Sequence, residues 1–244
     1  MTKYLSLTLF WALNAFCGFF VNSIASGGSE SLSNISRTSL ARTQAGRETD
    51  SIVELAVAPP SRFMTSDVMT EILKKRLTLF PKSQIPRLGN HIRSLCTKYQ
   101  FDPALILGLI EVESGFQIKS NSGKGAVGLM QVMVPTASFV IQKLGLVKTG
   151  FEGFSNEALR KGALTSKMLS DPFLNISVGI GYLAWLRDCY KEKNSHYYML
   201  AAYNIGPARM NQLMARRYFK PVETKRYFLN ISQATLNFRF YGSI

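Results

Sequence analysis

The chain has 244 residues, 46% of them hydrophobic, enough for one substantial core-forming domain with flanking segments and too apolar for a wholly disordered chain. Its 29 Lys and Arg against 15 Asp and Glu leave a formal net charge of +14, which suits an anionic polymer or lipid surface and equally serves plain solubility. Zinc-finger spacing, an aromatic RNA-binding signature and a long basic helix are all missing, so nucleic acid is not expected as a partner.

The first 25 residues read as an export signal. One cation, Lys3, precedes an apolar run from Tyr4 to Val21, and Ser23-Ile24-Ala25 offers small residues for cleavage after Ala25. The run is also long enough to stay as a membrane anchor. Either way the body is expected outside the cytoplasm, in the periplasm or cell envelope. Residues 26–84 read as a linker: Ser, Gly, Thr and Arg dominate to Ser51, Pro59-Pro60 breaks the chain, and Ser66 to Phe80 allows one helix capped by Ser66 or Asp67.

The expected globular domain covers 85–244. Leu88, Ile92, Leu95 and Cys96 recur at helical spacing. Asp102 and Pro103 then match the cap and first position of a helix that runs apolar on nearly every side, which predicts a buried helix. Further helices are expected from about Pro135 to Gly145 and over Asn175 to Glu192. Two more flank Asn204-Ile205-Gly206-Pro207, and the last starts at Val222. A loop is expected between Gly145 and Asp171. Nothing resembles a strand series, so the fold class is all-α.

Three cysteines are too few for a disulfide scaffold; pairing of Cys96 with Cys189 and two buried thiols both remain open. His91 and His196, the two histidines, lack ligand spacing, and HExxH and CxxC are absent. No metal or cofactor is expected. Metal and Ser–His mechanisms therefore lack parts, while two carboxylates, Glu111 and Glu113, end the buried helix. A helix turns about 100° per residue, so two residues two apart cannot both face one cleft. Glu113 continues the stripe Ile106–Ile110, and Glu111 shares one with Leu107. A partly desolvated carboxyl favours its protonated form and becomes a candidate general acid; spacing alone leaves both open.

The runs Glu113-Ser114-Gly115-Phe116, Ser120 to Gln131 and Ala201 to Pro207, in that order, closely resemble the soluble lytic transglycosylase family, a branch of the lysozyme-like superfamily. Asp171, Pro172, Asn175, Gly179, Tyr182 and Leu183 fit the family's pattern between them, and Glu223-Thr224 with Tyr227 resembles its closing element. The resemblance covers Ile85 to Phe240. It departs at Pro135, one place later than the family's usual proline, and in the length of the Gly145–Asp171 segment.

The resemblance implies a single lysozyme-like domain. It implies a carbon–oxygen lyase that cleaves the β-1,4 bond between N-acetylmuramic acid and N-acetylglucosamine in peptidoglycan, leaving 1,6-anhydromuramic ends. It makes Glu113 the single catalytic residue, acid and then base. It implies sugar binding by Ser114, Met130, Gln131, Tyr203 and Asn204. For these the residues themselves leave bland roles open: a helix-end cap at Ser114, ordinary core at Met130, a buried hydroxyl at Tyr203 and a helix cap at Asn204. Expected partners are peptidoglycan strands and cell-envelope or secretion machinery, with the chain working as a monomer. A lysozyme-type hydrolase using the same Glu113, and a non-catalytic wall-binding protein, are the rival readings.

Overall fold

A computed structural model describes residues 64–145, 164–191, 196–215 and 222–241. The predicted signal, most of the predicted linker and most of the Gly145–Asp171 loop lie outside the described residues. Among the described residues the chain is helical apart from one two-stranded ribbon. Nine helices run α1 Ser66–Arg76, α2 Ile85–Tyr99, α3 Pro103–Ser114, α4 Val134–Lys143, α5 Ser166–Leu169, α6 Pro172–Tyr190, α7 His196–Ile205, α8 Pro207–Ala215 and α9 Val222–Arg239. The all-α expectation holds.

Two compact units divide these elements: one holds 186–228, the other 64–185 together with 229–241. In the larger unit α3 is buried over every residue from Pro103 to Ile110. Its start is capped by Asp102, whose Oδ1 accepts from the Ala104 amide at 2.9 Å. The other oxygen, Oδ2, accepts from Arg239 Nε at 3.0 Å and from the Arg239 Nη2 amine as well, so the end of α9 is tied to the start of α3. Midway, Gly108 lets the two helices touch: a Cβ there would lie 2.7 Å from Thr235 Oγ1 and 2.9 Å from the Thr235 amide nitrogen.

Helix α1 packs Met69, Ile72 and Leu73 inward, and Met69 meets α2 at Gly89. It is shorter than the expected Ser66–Phe80 span. Arg76 is its last residue, and Pro81 keeps the following segment from continuing as helix. Its cap is Thr65, whose hydroxyl accepts from the Val68 amide at 3.3 Å, whereas Ser66 donates to Asn90 Oδ1. Helix α6 starts three residues before Asn175, because Asp171 Oδ1 accepts from the Leu174 amide and Pro172 fits the first turn. Cys96 is buried, its thiol pushed up to about 12 by burial and by Asp102, and neither it nor Cys189 is in a disulfide.

In the smaller unit, Leu186, Met199, Leu200, Met210 and Phe228 are fully buried, with Tyr190 and Tyr197 beside them. Tyr197 stacks on Phe228 at 4.3 Å between ring centres, and the Tyr190 hydroxyl donates to Asn211 Oδ1 at 2.9 Å. The break between α7 and α8 falls at Gly206, as expected.

Candidate active site

Helix α3 brings two carboxylates to its C-terminal turn, where aligned carbonyl dipoles disfavour negative charge and no basic residue shares the turn. The two have different surroundings. Glu111 Oε2 lies 3.2 Å from Arg76 Nη2, an ion pair with the last residue of α1. Close approach here is a charge contact without a directed hydrogen bond. Glu113, half-buried, stands one residue before the helix end.

Beyond it the chain reverses. Gly115 (φ 56°) and Phe116 (φ 63°) are consecutive left-handed residues, and the Gly115 amide donates to the Glu111 carbonyl at 2.9 Å. For Phe116 that conformation costs about 1–3 kcal/mol and needs surrounding contacts to hold it. Those contacts are present: its ring is buried edge-on against Phe238 at 5.9 Å.

The glycine-rich segment that follows folds into a ribbon, β1 Ala126–Val127 paired antiparallel with β2 Val132–Met133. No strand was expected here, because two residues are too few to display a period. Gly128-Leu129-Met130-Gln131 forms the tip of this ribbon, closed by the Gln131 amide donating to the Gly128 carbonyl at 3.2 Å. Gly128 (φ 77°) has no room for a side chain: a Cβ would sit 2.5 Å from Asn175 Nδ2.

Asn175, fully buried on α6, holds that tip from behind. Its Oδ1 accepts from the Met130 amide at 2.8 Å, and its Nδ2 donates to the Val127 carbonyl at 2.9 Å and to the Leu169 carbonyl at 3.0 Å. Three of its hydrogen-bonding positions are thus filled by backbone.

The residues expected to bind sugar are placed as follows. Ser114, 8% exposed, directs its hydroxyl to the carbonyls of Leu129 (2.8 Å) and Ile110 (3.1 Å), which ties the end of α3 to the ribbon tip. That hydroxyl proton is engaged with backbone. Met130 is fully buried against Gly179 of α6. Gln131 is half-buried, and its Nε2 donates back to the Gly128 and Ser120 carbonyls. Glu113, Ser114, Met130 and Gln131 therefore share the larger unit, with the Ser114–Leu129 hydrogen bond joining their two segments. Tyr203 and Asn204 lie in the smaller unit at the C-terminal end of α7, Tyr203 half-buried and Asn204 exposed. Helix α9 contains Glu223, whose side chain lies outside the described residues. Asn175 matched the family pattern in sequence, but its clamping role required the fold.

The family model described as "Transglycosylase SLT domain" matches residues 90–225, more than half of the chain. The chain belongs to the transglycosylase SLT family. Similar relatives include "Membrane-bound lytic murein transglycosylase C" of Actinobacillus pleuropneumoniae serotype 5b (strain L20), 38% identical over 120 residues that make up 47% of this chain and 29% of that protein. The protein of the same name from Glaesserella parasuis serovar 5 (strain SH0165) is 34% identical over 138 residues, 50% of this chain and 34% of that protein. This SLT chain thus spans about a third of the length of these relatives. Among solved structures, an inactive mutant of the lytic transglycosylase Slt from Pseudomonas aeruginosa aligns with 18% identity and a TM-score of 0.49, covering 82% of this chain and 33% of that one.

Proposed function

We propose that this SLT-family chain is a peptidoglycan lytic transglycosylase with Glu113 as its single catalytic carboxyl. The observation that carries the reading is the intact frame around Glu113: a half-buried carboxyl at the end of a buried helix, joined through Ser114 to the ribbon tip that the family match includes. The relatives' names, as lytic murein transglycosylases, support the substrate.

In this reading protonated Glu113 donates to the oxygen leaving the muramic C1. The 2-acetamido carbonyl stabilises the developing charge. Glu113, now a carboxylate, takes the proton from the C6 hydroxyl as that oxygen closes the 1,6-anhydro ring, so no water is consumed. A group that is acid and then base works best with its acidity near ambient pH. Gln131, Tyr203 and Asn204 serve sugar binding. Met130 and Ser114 serve by shaping the tip, since the one is buried and the other's hydroxyl is engaged with backbone. The relatives' description as membrane-bound supports a place at the cell envelope; export and the predicted division at residues 25 and 84 complete the reading.

Mass spectrometry of digested peptidoglycan tests it. Anhydro ends, one water lighter than reducing ends, are expected; reducing ends alone would make the chain a hydrolase. Glu113→Gln is expected to lower cleavage by about 10²–10⁴-fold while sacculus binding persists, and a variant that cleaves normally would remove Glu113 from the role. Binding without cleavage by the unaltered chain would leave only a wall-binding protein.

A further inference from the structure

We infer that Arg76, on a helix that precedes the family-matched residues, is a positioning residue for Glu113; the inference rests on the proposed role of Glu113. The family match starts at residue 90, and α1 ends at Arg76, so nothing in the matched stretch contains this side chain. Yet its guanidinium reaches both flanks of Glu113. Two residues before, it pairs with Glu111 at 3.2 Å. Three residues after, it lies over the Phe116 ring, 5.8 Å from its centre, and it lies 5.6 Å from the centre of Phe238.

Each contact answers a local difficulty. The last turn of α3 carries two carboxylates at the negative end of the helix dipole and supplies no cation of its own; Arg76 brings one from outside. Phe116 holds a left-handed backbone conformation that a bulky side chain avoids, and its ring packs edge-on against Phe238 with the guanidinium lying over both rings. The turn that contains Glu113 is closed by the Gly115 amide on the Glu111 carbonyl, so the residue that Arg76 pairs with by its side chain also accepts the bond that closes the helix end.

Arginine suits this place better than lysine, because a flat guanidinium can pair with a carboxylate and stack on rings together. Phe238 lies beyond the matched residues at the other end, so the frame around Glu113 is completed from both sides of the family domain.

The test uses the whole chain and soluble, uncrosslinked glycan strands, with release of anhydro ends as the rate. Arg76→Met is expected to lower kcat by about 10–100-fold, the loss that follows a displacement of about 1 Å at a reacting group, with KM within twofold. Arg76→Lys, which keeps the charge at Glu111, is expected to recover kcat to within about fivefold of the unaltered chain. Phe238→Leu keeps the ion pair and removes one ring; it is expected to lower kcat several-fold at constant KM, and it decides the matter if Arg76→Met does not fold. Strand affinity, measured in a Glu113→Gln background, is expected to stay constant across the series. Unaltered kcat in Arg76→Met or Phe238→Leu overturns the inference while leaving the proposed function standing. So does a joint loss of kcat and affinity that lysine does not rescue, since that marks general support of the fold. An unaltered chain that releases no anhydro ends removes the proposed function, and this inference with it.

Discussion

Replacing Asn175 by Ala should cost this protein a large part of its stability, and the size follows from three hydrogen bonds. The substitution leaves the Met130 amide and the Val127 and Leu169 carbonyls without the partner they have now, in a place where the side chain is fully buried. An orphaned buried polar group costs about 1–3 kcal/mol. The three share one partner and one cavity, so their losses do not simply add. A total of about 3–5 kcal/mol is expected, set against about 5–15 kcal/mol for a whole domain. Urea unfolding followed by far-ultraviolet circular dichroism reads this as a lower midpoint at constant slope. In thermal unfolding the midpoint should fall by about 10 °C. Asn175→Asp sharpens the case: it keeps an acceptor for the Met130 amide but turns a carboxylate towards two carbonyls, and it should be no better than Ala. A loss below about 1 kcal/mol for Ala, or an Asp variant as stable as the unaltered chain, would refute the reasoning that this amide holds the ribbon tip.

Two further predictions follow from packing and charge. Gly108→Ala places a methyl against the Thr235 hydroxyl and backbone amide, so α3 and α9 must separate; a loss of about 1–3 kcal/mol is expected in the same unfolding assay, and a neutral result would mean that the two helices are not in contact there. His91 is half-buried, hydrogen-bonded through Nε2 to Ser177 Oγ (2.8 Å) and the Phe173 carbonyl (3.2 Å), and burial holds its pKa below the ordinary value despite the raising effects of Phe173 and Asp171. The folded state therefore prefers the neutral ring: this group costs nothing above about pH 6.5 and destabilises the fold progressively as pH falls below it. His91→Gln should flatten that part of the stability–pH curve, and an unchanged acid limb would assign it to other groups.

Much of the helical frame is legible along the chain because its signals are local. Asp102-Pro103 states a helix start within two residues, and the break at Gly206-Pro207 is equally local. Misreadings came where competing local chemistry decided the outcome. Thr65 caps α1 by accepting from the Val68 amide, while Ser66 is already the first helical residue and donates to Asn90, 24 residues away. The ribbon at 126–133 escaped because each strand has two residues, and it owes its register to Gly128 and the Asn175 amide rather than to hydrophobic alternation.

At the site, the same division separates what a sequence can say from what it cannot. Helical geometry alone requires Glu111 and Glu113 to face different ways, and the pairing of Glu111 with Arg76 gives that carboxylate a structural partner, as a residue on the other face should have. The partner itself is invisible in sequence: Arg76 closes a cluster of basic residues, Lys74-Lys75-Arg76, that reads as a solvated helix end. Only the approach of α1 to the end of α3 singles out one of those three cations. The expected sugar contacts divide by the same logic. Ser114 and Met130 lie in the motifs that include and follow Glu113, but a motif residue can touch substrate or hold the group that does. Met130 is buried within the ribbon tip, where Asn175 holds its amide, and Ser114 donates to the Leu129 carbonyl of the same tip. Position in a motif thus marks involvement in a site, whereas the direction of each hydrogen bond decides the kind of involvement.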